Sequence, residues 1–285
     1  MNNQTSTVSR FSILAASLTV SASVLAQTAA PVQSNARPFG LDIVGPVMAA
    51  GSDSKSATFQ SEALPSLIAL ANTELSESQA VNDSSMLLDP SKLFLKNASD
   101  VRVYFVSEGA GYHNTLGFNT GGGGVTSGDP LLIFPDASSK GTTSTVRSGS
   151  EPLLSGDFVD LGNFAAGTKL DFFLIANGAS GGDDVYSTDM SVNPDGINHV
   201  VSFAALSGSY LMIGFEDLLG GGDRDFNDVL FAVDIGARNL AALTATPEPA
   251  TYAMLGTFLA LGAWATRRRS AVAALAQVPA NQSRA

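Results

Sequence analysis

Between residues 88 and 236 the chain breaks into short β-rich runs, each closed by Gly, Asp, Asn or Ser, and this rhythm leaves little room for anything but a sheet protein. Residues 101–107 alternate, with Val101, Val103 and Phe105 on one face and Arg102 and Tyr104 on the other. Further runs fall at 131–134, 157–161, 169–176, 199–205, 210–215 and 229–235. Seven strands at irregular spacing, with no tandem repeat, predict an all-β domain of β-sandwich or jelly-roll type. Residues 27–87 read instead as a low-complexity leader rich in Ser, Ala and Gly. It carries one expected helix, at 65–74, with Pro65 in the first turn and Leu67, Ile68, Leu70 and Ala71 as its apolar face.

The two ends read as addresses. Arg10 precedes a run of small apolar residues, and Val24-Leu25-Ala26 offers a small-residue cleavage site, so residues 1–26 are expected to be a secretory signal peptide. Near the other end, residues 250–266 carry no charge and are followed by Arg267, Arg268 and Arg269. Seventeen residues at the helical rise cover roughly 25 Å, enough for a short membrane span. The arginines would keep residues 267–285 in the cytoplasm and the rest of the chain outside. Residues 237–249 form the expected linker, ending in Pro247-Glu248-Pro249, an extended spacer that neither strand nor helix can absorb.

Pro-Glu-Pro, an apolar helix and an arginine cluster together resemble the PEP-CTERM sorting signal of Gram-negative bacteria. The resemblance implies recognition and removal of the tail by an exosortase-type membrane protease, and export in company with exopolysaccharide to the cell surface or biofilm matrix. A permanent tail anchor is the alternative reading of the same residues.

All 26 acidic residues but only 10 of the 15 basic ones lie between 27 and 249, a net charge of −16. That balance excludes a protein that binds nucleic acid by neutralising phosphates and favours cations. The absence of Cys excludes disulfides, zinc–thiolate sites and thiol nucleophiles. The Gly-rich loops at 121–124 and 178–182 open no helix and precede no Lys, so neither is a phosphate loop. His113 and His199 stand in no evident nucleophile motif, and Glu108 reads as solvated, with a place in the acidic loop's site from a neighbouring loop as the alternative. The long connection 177–198, with Asp183, Asp184, Asp189 and Asp195, is a secondary candidate for function.

The densest chemistry lies at 216–228, where Glu216, Asp217, Asp223, Asp225 and Asp228 supply five carboxylates and Asn227 an amide oxygen within thirteen residues. Only Arg224 offsets them. Ca2+ takes six to eight oxygen ligands with tolerant geometry, and Gly220, Gly221 and Gly222 free the backbone to turn them inward. The alternate spacing of Asp223, Asp225 and Asn227 opens like an EF-hand, but Asp228 occupies the place of the required Gly and a strand follows. A solvated acidic turn is the other reading of this loop.

Residues from about 88 to 235, including 103–112, 114–117 and 214–228, resemble a bacterial domain of unknown function, number 4114, seen in secreted and surface proteins. That resemblance implies a β-sandwich with a cation site and no known catalysis. The expected function is therefore a non-enzymatic surface or matrix interaction protein with a calcium-stabilised loop. The alternatives are a carbohydrate-binding module for exopolysaccharide, with Tyr104, Tyr112, Tyr186 and Tyr210 as stacking candidates, and a carboxylate-dependent glycosidase.

Overall fold

The β-rich runs condense into ten strands in two wholly antiparallel sheets. In a computed structural model of the chain, which describes residues 32–75, 87–204 and 209–244, the strands are β1 (Leu87–Leu88), β2 (Ser99–Ser107), β3 (Thr115–Asn119), β4 (Leu131–Phe134), β5 (Phe158–Phe164), β6 (Asp171–Ile175), β7 (Val185–Ser187), β8 (Val200–Ala204), β9 (Tyr210–Phe215) and β10 (Val229–Asp234). The larger sheet runs β1-β8-β9-β10-β2-β5 and the smaller β4-β3-β6-β7. The signal peptide, the Pro247-Glu248-Pro249 spacer, the apolar span and Arg267, Arg268 and Arg269 lie outside the described residues. Among those described, no helix is long and apolar enough to cross a membrane.

The alternation in β2 sets the layering. Val101, Val103 and Phe105 point into a core shared with Leu116, Phe134, Phe172 and Phe231, so the two sheets face each other. Phe172 of β6 meets Phe231 of β10 at 5.2 Å between ring centroids, and Phe105 of β2 meets Phe134 of β4 at 6.0 Å. Each ring fully buried in this way contributes about 1.5–3 kcal/mol.

The opposite face of the larger sheet is also buried, which the sequence reading of a leader did not anticipate. Helix α1 (Ser54–Thr58) passes through a π-helical turn at Phe59–Ala63 into α2 (Leu64–Glu74). Pro65 lacks the N–H that regular helix would need there, and a wide turn is a common response. Phe59, Leu67 and Ala71 pack onto Tyr104, Phe158 and Met212. Asp53 caps α1 by accepting from Ser56 N at 2.7 Å, and Arg102 ties that cap to the sheet through Asp53 and Asp160.

The chain ahead of α1 joins the two layers at their edges. Leu132 of β4 donates to Asp42 O at 2.8 Å, and Val44 donates to Leu132 O at 3.0 Å. Met48 and Phe158 of β5 exchange both backbone bonds, at 2.8 and 3.0 Å. One short segment thereby covers one edge of each sheet, β4 in the smaller and β5 in the larger.

Residues 237–249, expected as linker, begin with a docked helix, α3 (Ala237–Thr244). Asn239 is 2% exposed, and its amide makes four bonds: the oxygen accepts from Lys96 N and Asn97 N, and the nitrogen donates to Asn97 O and Ile235 O.

Candidate metal centre

Strands β9 and β10 are joined by the acidic loop, whose backbone is bent well beyond a hairpin. Gly220, Gly221 and Gly222 have φ of 83°, 83° and 43°, and the non-glycine residues Arg224 and Phe226 are also left-handed, at 61° and 54°. A left-handed aromatic residue is costly and persists only where its surroundings impose it. Here Phe226 packs against the core between the larger sheet and the helix.

The bends bring one carboxylate oxygen each from Glu216, Asp223 and Asp225 within 4.8 Å of one another. Oxygens bound to a single Ca2+ at 2.3–2.6 Å lie no more than about 5 Å apart, so the three fit a shared ion. Glu216 is 1% exposed and Asp225 7%, while Asp223 faces solvent. Among the described residues no basic side chain is ion-paired with Glu216 or Asp223. Burial pushes the Glu216 carboxyl up to about 7, against a bond from Phe226 N and with the charges of Asp223, Asp225 and Asp217 adding to the rise. Glu216 folds back over Gly222, where a Cβ would stand 1.8 Å from its Oε1.

The other expected ligands are placed differently. Asp217 and Asp228 form a carboxyl pair of their own, with Asp217 N donating to Asp228 Oδ2 at 2.8 Å. Burial first, and then Asp217, push Asp228 up to about 8, and burial raises Asp217 as well. Asn227 turns its amide nitrogen to Asp225 Oδ2, and its carbonyl oxygen lies where a Cβ on Gly109 would be, 2.2 Å away.

Neighbouring loops lock this arrangement. Asn114, fully buried, donates to Asp217 Oδ2 at 2.7 Å and accepts from Asn177 N at 2.9 Å. Asp195, from the long connection, accepts from Gly220 N at 2.8 Å and meets His199 Nε2 at 2.9 Å. His199 is fully buried, stacks on Tyr186 at 3.9 Å, and places Nδ1 3.2 Å from Glu216 O. The sequence offers only the Asp195-Gly196 turn and a lone His four residues on; their joint reach to Gly220 and Glu216, at the far end of β9, comes from the fold.

Glu108, expected in water, is half buried, accepts from Ser139 N at 3.2 Å, and is pushed by burial up to about 7. Beside it, His113 Nδ1 lies 3.0 Å from Ser138 Oγ and 3.3 Å from Asp136 Oδ2. A nucleophile–base relay needs the acid on one ring nitrogen and the hydroxyl on the other. Here both meet Nδ1, and Ser138 is only 5% exposed.

A family model described as "Domain of unknown function (DUF4114)" matches residues 164–236, which run from the end of β5 through β10 and contain the acidic loop. No curated protein and no solved structure matches the chain.

Proposed function

We propose that the protein is a non-enzymatic, exported interaction protein of the cell surface or extracellular matrix, whose β-sandwich is ordered at one end by Ca2+. The observation that carries this reading is the convergence of Glu216, Asp223 and Asp225 within 4.8 Å, with Glu216 buried and without a basic partner among the described residues. Repulsion among anions held that closely in a half-dry loop amounts to a few kcal/mol, and a divalent ion reverses its sign. Glu216, Asp223 and Asp225 would hold the ion, and Asp195 and Asn114 would hold the loop that carries them. The ion supplies charge neutralisation and cross-linking of the loop.

Delivery rests on the sequence alone. The signal-peptide pattern before Gln27, Pro247-Glu248-Pro249, the uncharged run 250–266 and Arg267, Arg268 and Arg269 support export and sorting by an exosortase-type protease. The net charge of −16 between residues 27 and 249 favours contact with cations and with uncharged matrix polysaccharide over anionic surfaces.

The test is thermal unfolding with and without Ca2+. A ligand that binds only the folded state adds about 2.7 kcal/mol at a hundredfold excess over its Kd, so the melting temperature should climb with calcium concentration. The rise should vanish in Glu216→Gln and in the double variant Asp223→Ala, Asp225→Ala. A wild-type chain whose melting is indifferent to calcium would refute the metal centre.

A further inference from the structure

Next to the acidic loop, the β2–β3 and β4–β5 loops enclose a separate cleft of about 190 Å3 that uses none of the three gathered carboxylates. Glu108 from the first loop and Glu151 from the second both line it. Ser139 and Ser150 line it beside the nearly buried Ser138, and Tyr112, 42% exposed, lines it with an aromatic ring. We propose that this cleft binds one ring of a glycan, a neutral hexose or a hexosamine. The inference deepens the matrix-polysaccharide reading above and rests on it.

The chemistry of the lining selects this ligand class. The volume falls below the roughly 300–1,000 Å3 of pockets for drug-sized molecules, so the cleft takes a single small ring. Carboxylates and hydroxyls dominate the lining, which turns away an apolar ligand. Among the described residues the lining holds Glu108 and Glu151 and no Lys or Arg, so it offers phosphates, sulfates and uronates no cationic partner in the cleft wall. A bare cation is poorly served, because Lys140 lies 3.6 Å from Glu151 and His113 leans on Asp136 and Ser138. What remains is a polyol. Serine hydroxyls donate and accept, carboxylates accept, and an aromatic face covers the apolar C–H side of a ring. Glu108, half buried, gains a carboxyl proton near neutrality and so offers a donor as well as acceptors.

The cleft is also mechanically joined to the metal centre. Gly109 donates to Asn227 O at 3.1 Å, so the loop bearing Glu108 lies against the acidic loop.

The experiment is a glycan array probed with the full chain in calcium, with each hit titrated calorimetrically using the matching free oligosaccharide. The expected result is saturable binding confined to neutral and amino-sugar glycans, weakened at least tenfold in Tyr112→Ala and at least threefold in Glu108→Gln. Tyr112 is an exposed loop residue, and an unchanged melting curve certifies the fold of its variant. An empty array, hits restricted to anionic glycans, or full affinity in a folded Tyr112→Ala chain each overturns the site. A chain that melts higher in calcium yet binds no sugar retains its metal centre and loses this cleft; sugar binding without a calcium shift has the opposite meaning.

Discussion

The side-chain amide of Asn114 donates to the carboxylate of Asp217 at 2.7 Å, joining two loops 103 residues apart in sequence. Asn114 is fully buried, and the same amide accepts from Asn177 N at 2.9 Å, so three loops at one end of the sandwich meet on it. Replacing it with Ala strands a buried carboxylate and a backbone donor. The expected loss is about 2–4 kcal/mol in urea unfolding, with the midpoint lowered and the slope unchanged. A loss below about 0.5 kcal/mol would show that water replaces the amide without cost.

Asp195 titrates in the acid range. Burial would raise its carboxyl, but the bonds from Gly220 N, His199 and Ile197 N outweigh it and hold the group down at about 2. The native form binds fewer protons than the unfolded chain between about 2 and the ordinary 3.8, so the stabilisation is complete above pH 4 and lost as pH falls toward 2. Asp195→Asn should therefore be less stable than wild type at pH 5–6, with the gap closing at pH 2. A gap that stays constant over this range would rule out the carboxylate as its source.

Asp228 has the opposite sign. Its carboxyl is raised from 3.8 to about 8 by burial and by Asp217, so the folded state holds the extra proton. In chelator, stability from this group is complete below pH 4 and declines as pH rises toward 8. Asp228→Asn should flatten that decline. If wild type and variant fall in parallel from pH 4 to 8, the pair between β9 and β10 is not where the proton sits.

Gly222 and Gly220 separate backbone strain from site geometry. Both have positive φ, but an added Cβ at Gly222 meets Glu216 Oε1 at 1.8 Å, whereas at Gly220 it meets nothing within 4 Å. Both Ala variants should lose about 1 kcal/mol or more from strain. Only Gly222→Ala should also lose the calcium-dependent rise in melting temperature, because Glu216 must swing aside. Equal calcium responses in the two variants would count against Glu216 as a ligand.

The strands that packing makes regular were the legible ones. Residues 131–134 and 210–215 coincide with β4 and β9 because large aromatic and aliphatic side chains dominate there, with Gly214 as the one break in β9. Strand β3 is illegible because Leu116 and Phe118 are its only large apolar residues, set among Thr115, Gly117 and Asn119; Phe173 fills the space above Gly117, leaving no room for a Cβ. Strand β7 has three residues and lay hidden inside what read as one long connection. Helix α2 was visible from Pro65 onward, but its extension through Phe59 depends on the sheet face that Phe59 covers. At the site, sequence proximity gathered the five carboxylates, yet it could not separate Glu216, Asp223 and Asp225 from the Asp217–Asp228 pair. That division follows from left-handed backbone at Arg224 and Phe226, residue types that give no warning of it.

The seat of α3 decides how the domain meets force. A pull on the chain beyond Thr244 first loads the Asn239 amide, whose four bonds fasten the helix to residues 96–97 and to the end of β10. Behind it, β10 is flanked by β9 and β2, with ladder bonds perpendicular to its axis. Tension along that axis must shear both ladders together instead of peeling them one bond at a time, so a domain tethered at this end would resist drag from a flowing medium.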